Sequence, residues 1–182
     1  MMRISSWIAK IEDTIMRQLS GKSLEEWTVD RLRARGARIG KNCRIYTQGF
    51  SNDPYLIDIG DHVGIAPGTQ FVTHDGAINL LRDKYPEIQL IGRITVGNNT
   101  YIGLNCIILP NTIIGRNCII GAGSVVRGVI PDNSVVLGNP ARTVMSTSLA
   151  EKLLIHHKHR LDTLLVPAKD RERIIKAHFG LL

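Results

Sequence analysis

Long apolar runs are missing from this 182-residue chain. None approaches the roughly 18 residues needed to cross a bilayer. The N-terminal MMRISSWIAK also lacks a signal-peptide hydrophobic region and a small-residue cleavage site. The expected location is the cytoplasm. Paired cysteines are missing as well. Cys43, Cys106 and Cys118 leave one over in any disulfide scheme, and no C-x-x-C pair suggests zinc or redox chemistry. Net charge is missing from the middle of the chain: residues 39–141 hold seven Lys/Arg and seven Asp/Glu, so the +7 total sits in the two flanks. A neutral body with basic ends is not the continuous stripe of a nucleic-acid binder, which excludes that partner. The basic flanks leave room for a peripheral membrane-surface contact, above all through a first helix carrying Trp7 and Lys10.

What is present is a period of six. Laid out in sixes, the chain reads IGKNCR from 39, then IGDHVG, IAPGTQ and FVTHDG from 59, and VGNNTY, IGLNCI, ILPNTI, IGRNCI, IGAGSV and VRGVIP from 96. Position one is Ile, Val or Phe throughout, and position five is usually small. Neither a 3.6-residue helix nor a continuous two-residue strand alternation has this period. Short strands joined by tight corners do. The large aliphatic residue points into a narrow prism, the small one fills the remaining space, and Gly, Asn and Asp take the corners where positive φ is tolerated. Three hexads close one triangular coil of about 18 residues, as in parallel β-helices. The three cysteines all fall on the small inward position and are read as packing residues.

The flanks have a different pattern. Residues 1–38 form an N-terminal helical segment, with Trp7, Ile8, Ile11, Ile15 and Leu19 at helical spacing and a break at Ser20-Gly21. Residues 146–182 form a C-terminal helical segment that Pro167 splits in two. Both are expected to cap the open ends of the coil stack. The run HHKH at 156–159 is assigned to a basic helix with no ligand partner nearby.

The stretches IGDHVGIAPGTQFVTHDG, TVGNNTYIGLNCIILPNTIIGRNCIIGAGSVV and IPDNSVVLGNPAR resemble the hexapeptide-repeat acyltransferases. Within them the chain is similar to the galactoside, maltose and nodulation acetyltransferases, and more so to bacterial polysaccharide O-acetyltransferases. The resemblance covers residues 39–145. It implies a left-handed parallel β-helix, an exception to right-handed parallel crossovers. It further implies a homotrimer with active sites at subunit interfaces, acetyl-CoA as cosubstrate without a metal, and a sugar or glycan acceptor.

The register breaks after FVTHDG, and an extruded loop of residues 76–92 is expected there. A loop of that length in a compact fold is functional or disordered. Its Leu80, Leu81, Tyr85 and Ile88 argue that it packs. His74 sits just before the break. Acetyl transfer to an alcohol needs a base near the operating pH, the usual role of histidine, and it needs an oxyanion donor, for which a backbone N–H suffices. By resemblance His74 is the catalytic base and the peptide N–H of Leu104 the oxyanion donor. Asp53 and Asp75 are candidate acceptor-binding residues, and Asp53 could instead orient His74 or cap the turn before Pro54. Gly103, Ala122 and Gly123 match small residues beside the pantetheine arm of acetyl-CoA, with Arg127 and Arg142 near its phosphates. Relatives with a Thr-Lys pair have that lysine where this chain has Arg127-Gly128.

Other functions remain open on sequence. A metal enzyme of the γ-carbonic anhydrase kind needs three histidines around Zn²⁺, and the repeat holds only His62 and His74. Serine acetyltransferases carry a longer helical N-terminal domain. A non-catalytic β-helix scaffold or binding module would not need the histidine before the loop. Nucleotide sugars and other small alcohols are alternative acceptors.

Overall fold

A computed structural model describes residues 15–181. Trp7 and the rest of the expected first helix up to residue 14 lie outside the described residues. Residues 15–20 are helical, and Gly21 turns the chain with φ 66°. Ser23 then opens α1 (Leu24–Ala34) with a reciprocal capping box to Glu26. Val29 and Leu32 on α1 are buried and join the main core.

Fourteen short strands follow in about five coils, which gives the parallel β-helix expected from the hexads. Side one of the prism stacks β1 (Arg38–Ile39), β4 (Ile57–Ile59), β7 (Ile94–Val96), β10 (Thr112–Ile114) and β13 (Val129–Ile130). Side two stacks β2 (Arg44–Ile45), β5 (Gly64–Ile65), β8 (Tyr101–Ile102), β11 (Ile119–Ile120) and β14 (Ser134–Gly138). Side three stacks β3 (Gly49–Phe50), β6 (Gln70–Phe71), β9 (Ile107–Ile108) and β12 (Val125–Val126). All these pairings are parallel. β15 (Ala141–Ser146) then doubles back antiparallel on β14 and ends side two.

The first hexad position forms the core. Ile65, Ile102, Ile108, Ile120 and Val126 are fully buried, and the Phe50 and Phe71 rings stack at 4.7 Å. Each such side chain contributes about 1.5–3 kcal/mol of burial. The small fifth position has a second role that the repeat does not reveal. Its polar hydrogen reaches a corner carbonyl of the next coil: Thr69 to Gly103 (2.9 Å), Thr100 to Gly115 (3.0 Å), Cys106 to Gly121 (3.2 Å) and Cys118 to Pro131 (3.2 Å). Desolvation pushes the Cys106 and Cys118 thiols above their ordinary pKa. That suits packing residues rather than nucleophiles.

The corner between sides one and two carries a column of left-handed residues: Asn42, His62, Asn99, Asn117 and Asn133, with φ from 55° to 59°. His62 therefore occupies an asparagine place. The corner between sides two and three uses Gly68, Asn105 and Gly123, and the third corner uses Asn111 and Gly128.

The chain divides into two compact units, residues 1–147 and 148–182. In the second, α2 (Thr147–Ile155) is followed by twelve non-helical residues before α3 (Ala168–His178), which starts directly after Pro167. HHKH thus lies outside a helix, contrary to the sequence expectation. Its His159 Nδ1 lies 3.1 Å from His178 Nε2, a ring hydrogen bond within this unit. Among the described residues, no helix is long and apolar enough to cross a membrane.

Candidate active site

After β6 the chain reaches the corner between sides three and one and leaves the prism. Thr73 is fully buried there, and its hydroxyl donates to Ser51 Oγ at 2.6 Å. His74 forms an antiparallel bridge with Ile91, flanked by Asp75 N–H to Leu90 C=O (3.0 Å) and Gly92 N–H to Thr73 C=O (2.7 Å). The two ends of the extruded loop are therefore tied together at its base. Its first turn, a 3₁₀ helix over Gly76–Leu81, is capped by the Asp75 carboxylate, which accepts from Ala77 N–H at 3.0 Å. Ile78 is buried, whereas Leu80 is 88% exposed, so only part of the loop's apolar surface packs within the chain.

Asp53 comes to the same corner from the first coil, at the start of the 3₁₀ turn Pro54–Leu56. Its carboxylate does not cap that turn. One oxygen accepts from Tyr55 OH at 2.8 Å and the other lies 3.5 Å from His74 Nδ1. The bond to Asp53 raises the Tyr55 phenol above its usual pKa, so it stays a donor. Ser51 Oγ (3.5 Å) and Thr73 Oγ1 (3.3 Å) also face Nδ1. The sequence reading missed both, and only the pairing of β3 with β6 brings Ser51 beside this imidazole. His74 is about half exposed and opens into a cavity of about 410 Å³ that is also lined by Asp53, Asp75, Asn79 and Arg82.

A second set of candidates lines the other edge of side three. Leu104 stacks beneath Ala122 through Gly123 N–H to Leu104 C=O at 2.8 Å. Leu104 is half exposed, and its own N–H has no acceptor among the described residues. A Cβ on Gly103 would come within 2.7 Å of the Ala122 nitrogen, so the coils can stack this closely only with glycine there. Gly123 has φ 71° and open space beside it. Arg142 pairs with Leu137 at the same end of side two, and its guanidinium donates to its own residue's neighbour, Ala141 C=O, at 2.8 Å. Arg127, between β12 and β13, is instead on the edge of His74 and Asp53, two coils further along the axis.

The structure thus gathers His74, Asp53, Asp75 and Arg127 on one edge and Gly103, Leu104, Ala122, Gly123 and Arg142 on another. Side three separates them within a single chain. A broad groove of about 1510 Å³ lies between α1 and the outer face of side two, with Leu104 at its rim and the Tyr101 ring resting over Gly64. Among the described residues, no group of three or more His, Cys, Asp or Glu could hold a metal ion.

Comparison with known proteins gives three strong likenesses and a family. The model of the bacterial transferase hexapeptide family (six repeats) matches residues 93–128. Protein CapG of Staphylococcus aureus is 44% identical over 131 residues, 70% of this chain and 76% of CapG. Galactoside O-acetyltransferase of Escherichia coli K12 is 38% identical over 120 residues, 62% of this chain and 58% of that protein. A solved galactoside acetyltransferase in complex with coenzyme A superposes with TM-score 0.55 at 25% identity, covering 77% of this chain and 78% of that one.

Proposed function

This chain belongs to the hexapeptide-repeat acetyltransferases, and from that premise we propose that it moves an acetyl group from acetyl-CoA to a sugar hydroxyl, with His74 as general base. The observation that carries this reading is the His74 imidazole, half exposed in a cavity with Asp53 facing its Nδ1 at 3.5 Å. A carboxylate on that side favours the tautomer with the proton on Nδ1 and leaves Nε2 to accept. A 3.5 Å contact is long for a hydrogen bond but ordinary for a catalytic pair before substrate tightens it.

The acceptor hydroxyl gives its proton to Nε2 as its oxygen forms a bond to the thioester carbonyl carbon. The Leu104 N–H, which has no acceptor within the described residues, stabilises the resulting oxyanion. The carbon–sulfur bond then breaks, and the proton on His74 passes to the departing thiolate. Asp53 stabilises the transient imidazolium.

His74 and Leu104 lie on different edges of the prism, so the reaction needs the His74 edge of one chain against the Leu104 edge of another. A homotrimer around a three-fold axis supplies three such contacts. The exposed Leu80, Leu81 and Tyr85 of the extruded loop give that neighbour an apolar surface to cover. Acetyl-CoA then lies along Gly103, Ala122 and Gly123, with Arg142 from one chain and Arg127 from the other near its phosphates. The acceptor belongs to polysaccharide or glycan synthesis in the cytoplasm, where acetyl-CoA is made.

The test is thiol release from acetyl-CoA with a panel of sugars, together with the mass of the assembly in solution. Release that depends on a sugar, from a trimer, is expected. No release with any sugar and no thermal stabilisation by millimolar acetyl-CoA would leave a scaffold as the better reading.

A further inference from the structure

The extruded loop brings a cation into the His74 cavity. Arg82 lines that cavity, and its guanidinium is held by two bonds within the loop: Nε donates to Asn79 Oδ1 at 3.0 Å and Nη1 to Pro86 C=O at 2.9 Å. The loop itself is tied at its base by the His74–Ile91 bridge and anchored by buried Ile78. The guanidinium is thus held in place rather than left to sample many rotamers, which lowers the entropic cost of using it.

It has no ion-pair partner among the described residues. The two carboxylates of the cavity keep their charge but are engaged elsewhere: Asp53 accepts from Tyr55 and faces His74, and Asp75 accepts from Ala77 N–H. Neither forms an ion pair with Arg82, and Nη2 has no partner among the described residues. An arginine presents five N–H donors in a planar fork and stays charged at any working pH. Two anchored donors and a free nitrogen beside a small cavity suit an incoming oxyanion. The remaining lining includes the amides of Asn52, Asn79 and Gln89, which match sugar hydroxyls in both donor and acceptor capacity. A volume of about 410 Å³ is near the low end of small-molecule sites and is large enough for a monosaccharide.

We infer that the acceptor is an acidic sugar, bearing a carboxylate or phosphate that Arg82 binds while a neighbouring hydroxyl is presented to His74. This rests on the sugar O-acetyltransferase reading and makes Arg82 its specificity-determining residue.

The experiment compares matched acceptors with acetyl-CoA: galactose, galacturonic acid and galactose 6-phosphate, with wild type, Arg82→Gln and Arg82→Lys. The wild type is expected to favour one acidic sugar over galactose by at least about tenfold in kcat/KM, the scale of one charge-assisted hydrogen bond. The uronate and phosphate arms identify which anion is read. Arg82→Gln should erase that preference by raising the acceptor KM, while Arg82→Lys keeps part of it. The acetyl-CoA KM and melting temperature should stay unchanged in both variants. Equal use of galactose and the acidic sugars by wild type overturns the inference and leaves the O-acetyltransferase reading standing. So does a preference that survives in Arg82→Gln. Transfer to no sugar, despite stabilisation by acetyl-CoA, overturns both.

Discussion

The Asp53 carboxylate spans two partners, with one oxygen bonded to Tyr55 OH and the other 3.5 Å from His74 Nδ1. If His74 is the base, His74→Ala should lower acetyl transfer by about 100- to 10,000-fold, with assembly mass and acetyl-CoA binding intact. Asp53→Asn keeps the shape but removes the charge that steadies the imidazolium. It should lower kcat by about 10- to 100-fold, roughly the value of one charged hydrogen bond, and leave the acetyl-CoA KM unchanged. Steady-state kinetics of both variants decide this. A fully active His74→Ala ends the base assignment.

Leu104 poses a test of main chain against side chain. Its N–H has no acceptor among the described residues, and its side chain is half exposed. Leu104→Ala should therefore leave kcat within about threefold of wild type, since the loss of an oxyanion donor costs about 3 kcal/mol and this variant loses none. A fall in kcat comparable with that of His74→Ala, in a protein with an unchanged melting curve, would contradict the donor role.

The asparagine column predicts how His62 tolerates change. His62 has φ 56°, and its Nε2 lies 3.0 Å from Asn42 Nδ2. His62→Asn should stay within about 1 kcal/mol of wild type, because asparagine accepts left-handed backbone readily. His62→Val should cost about 1–3 kcal/mol, the strain of a β-branched residue there. Thermal melts of the two variants should separate clearly. Equal melting temperatures would remove backbone conformation as the reason for the column.

The cysteines give a pH-dependent prediction. Burial raises the Cys43, Cys106 and Cys118 thiols above the ordinary value. A raised pKa leaves less thiolate than a free cysteine has at any pH below it, and thiolate is the species that reacts. At pH 8, native protein should alkylate with iodoacetamide more slowly than free cysteine and react fully only on unfolding, as read by intact mass. Replacing all three by alanine should retain turnover. Rapid native labelling with loss of activity would point to a cysteine in the chemistry.

Residues that act along one strand were legible in the sequence. The hexad places Ile65, Ile102, Ile108 and Ile120 inward without reference to anything distant, because each alternation is local. It also puts His74 where the register breaks. The bond of each small inward residue to the next coil was not legible, since it depends on the stacking of coils and not on the order within one. Ser51 beside His74 has the same origin: they lie 23 residues apart in successive coils, and only the pairing of β3 with β6 joins them.

By itself, then, the sequence determined that this chain winds into a prism, which residues fill it and where the chain leaves it. Only the tertiary structure decided which candidates share an edge. Coils of unequal length, with about twenty residues between β6 and β7 and two between β12 and β13, destroy any fixed relation between sequence separation and corner. Arg127 therefore joins His74, and Gly123, four residues earlier, joins Leu104. The physical reason is that period six is enforced by packing within each side, whereas the corners are free to lengthen into solvent.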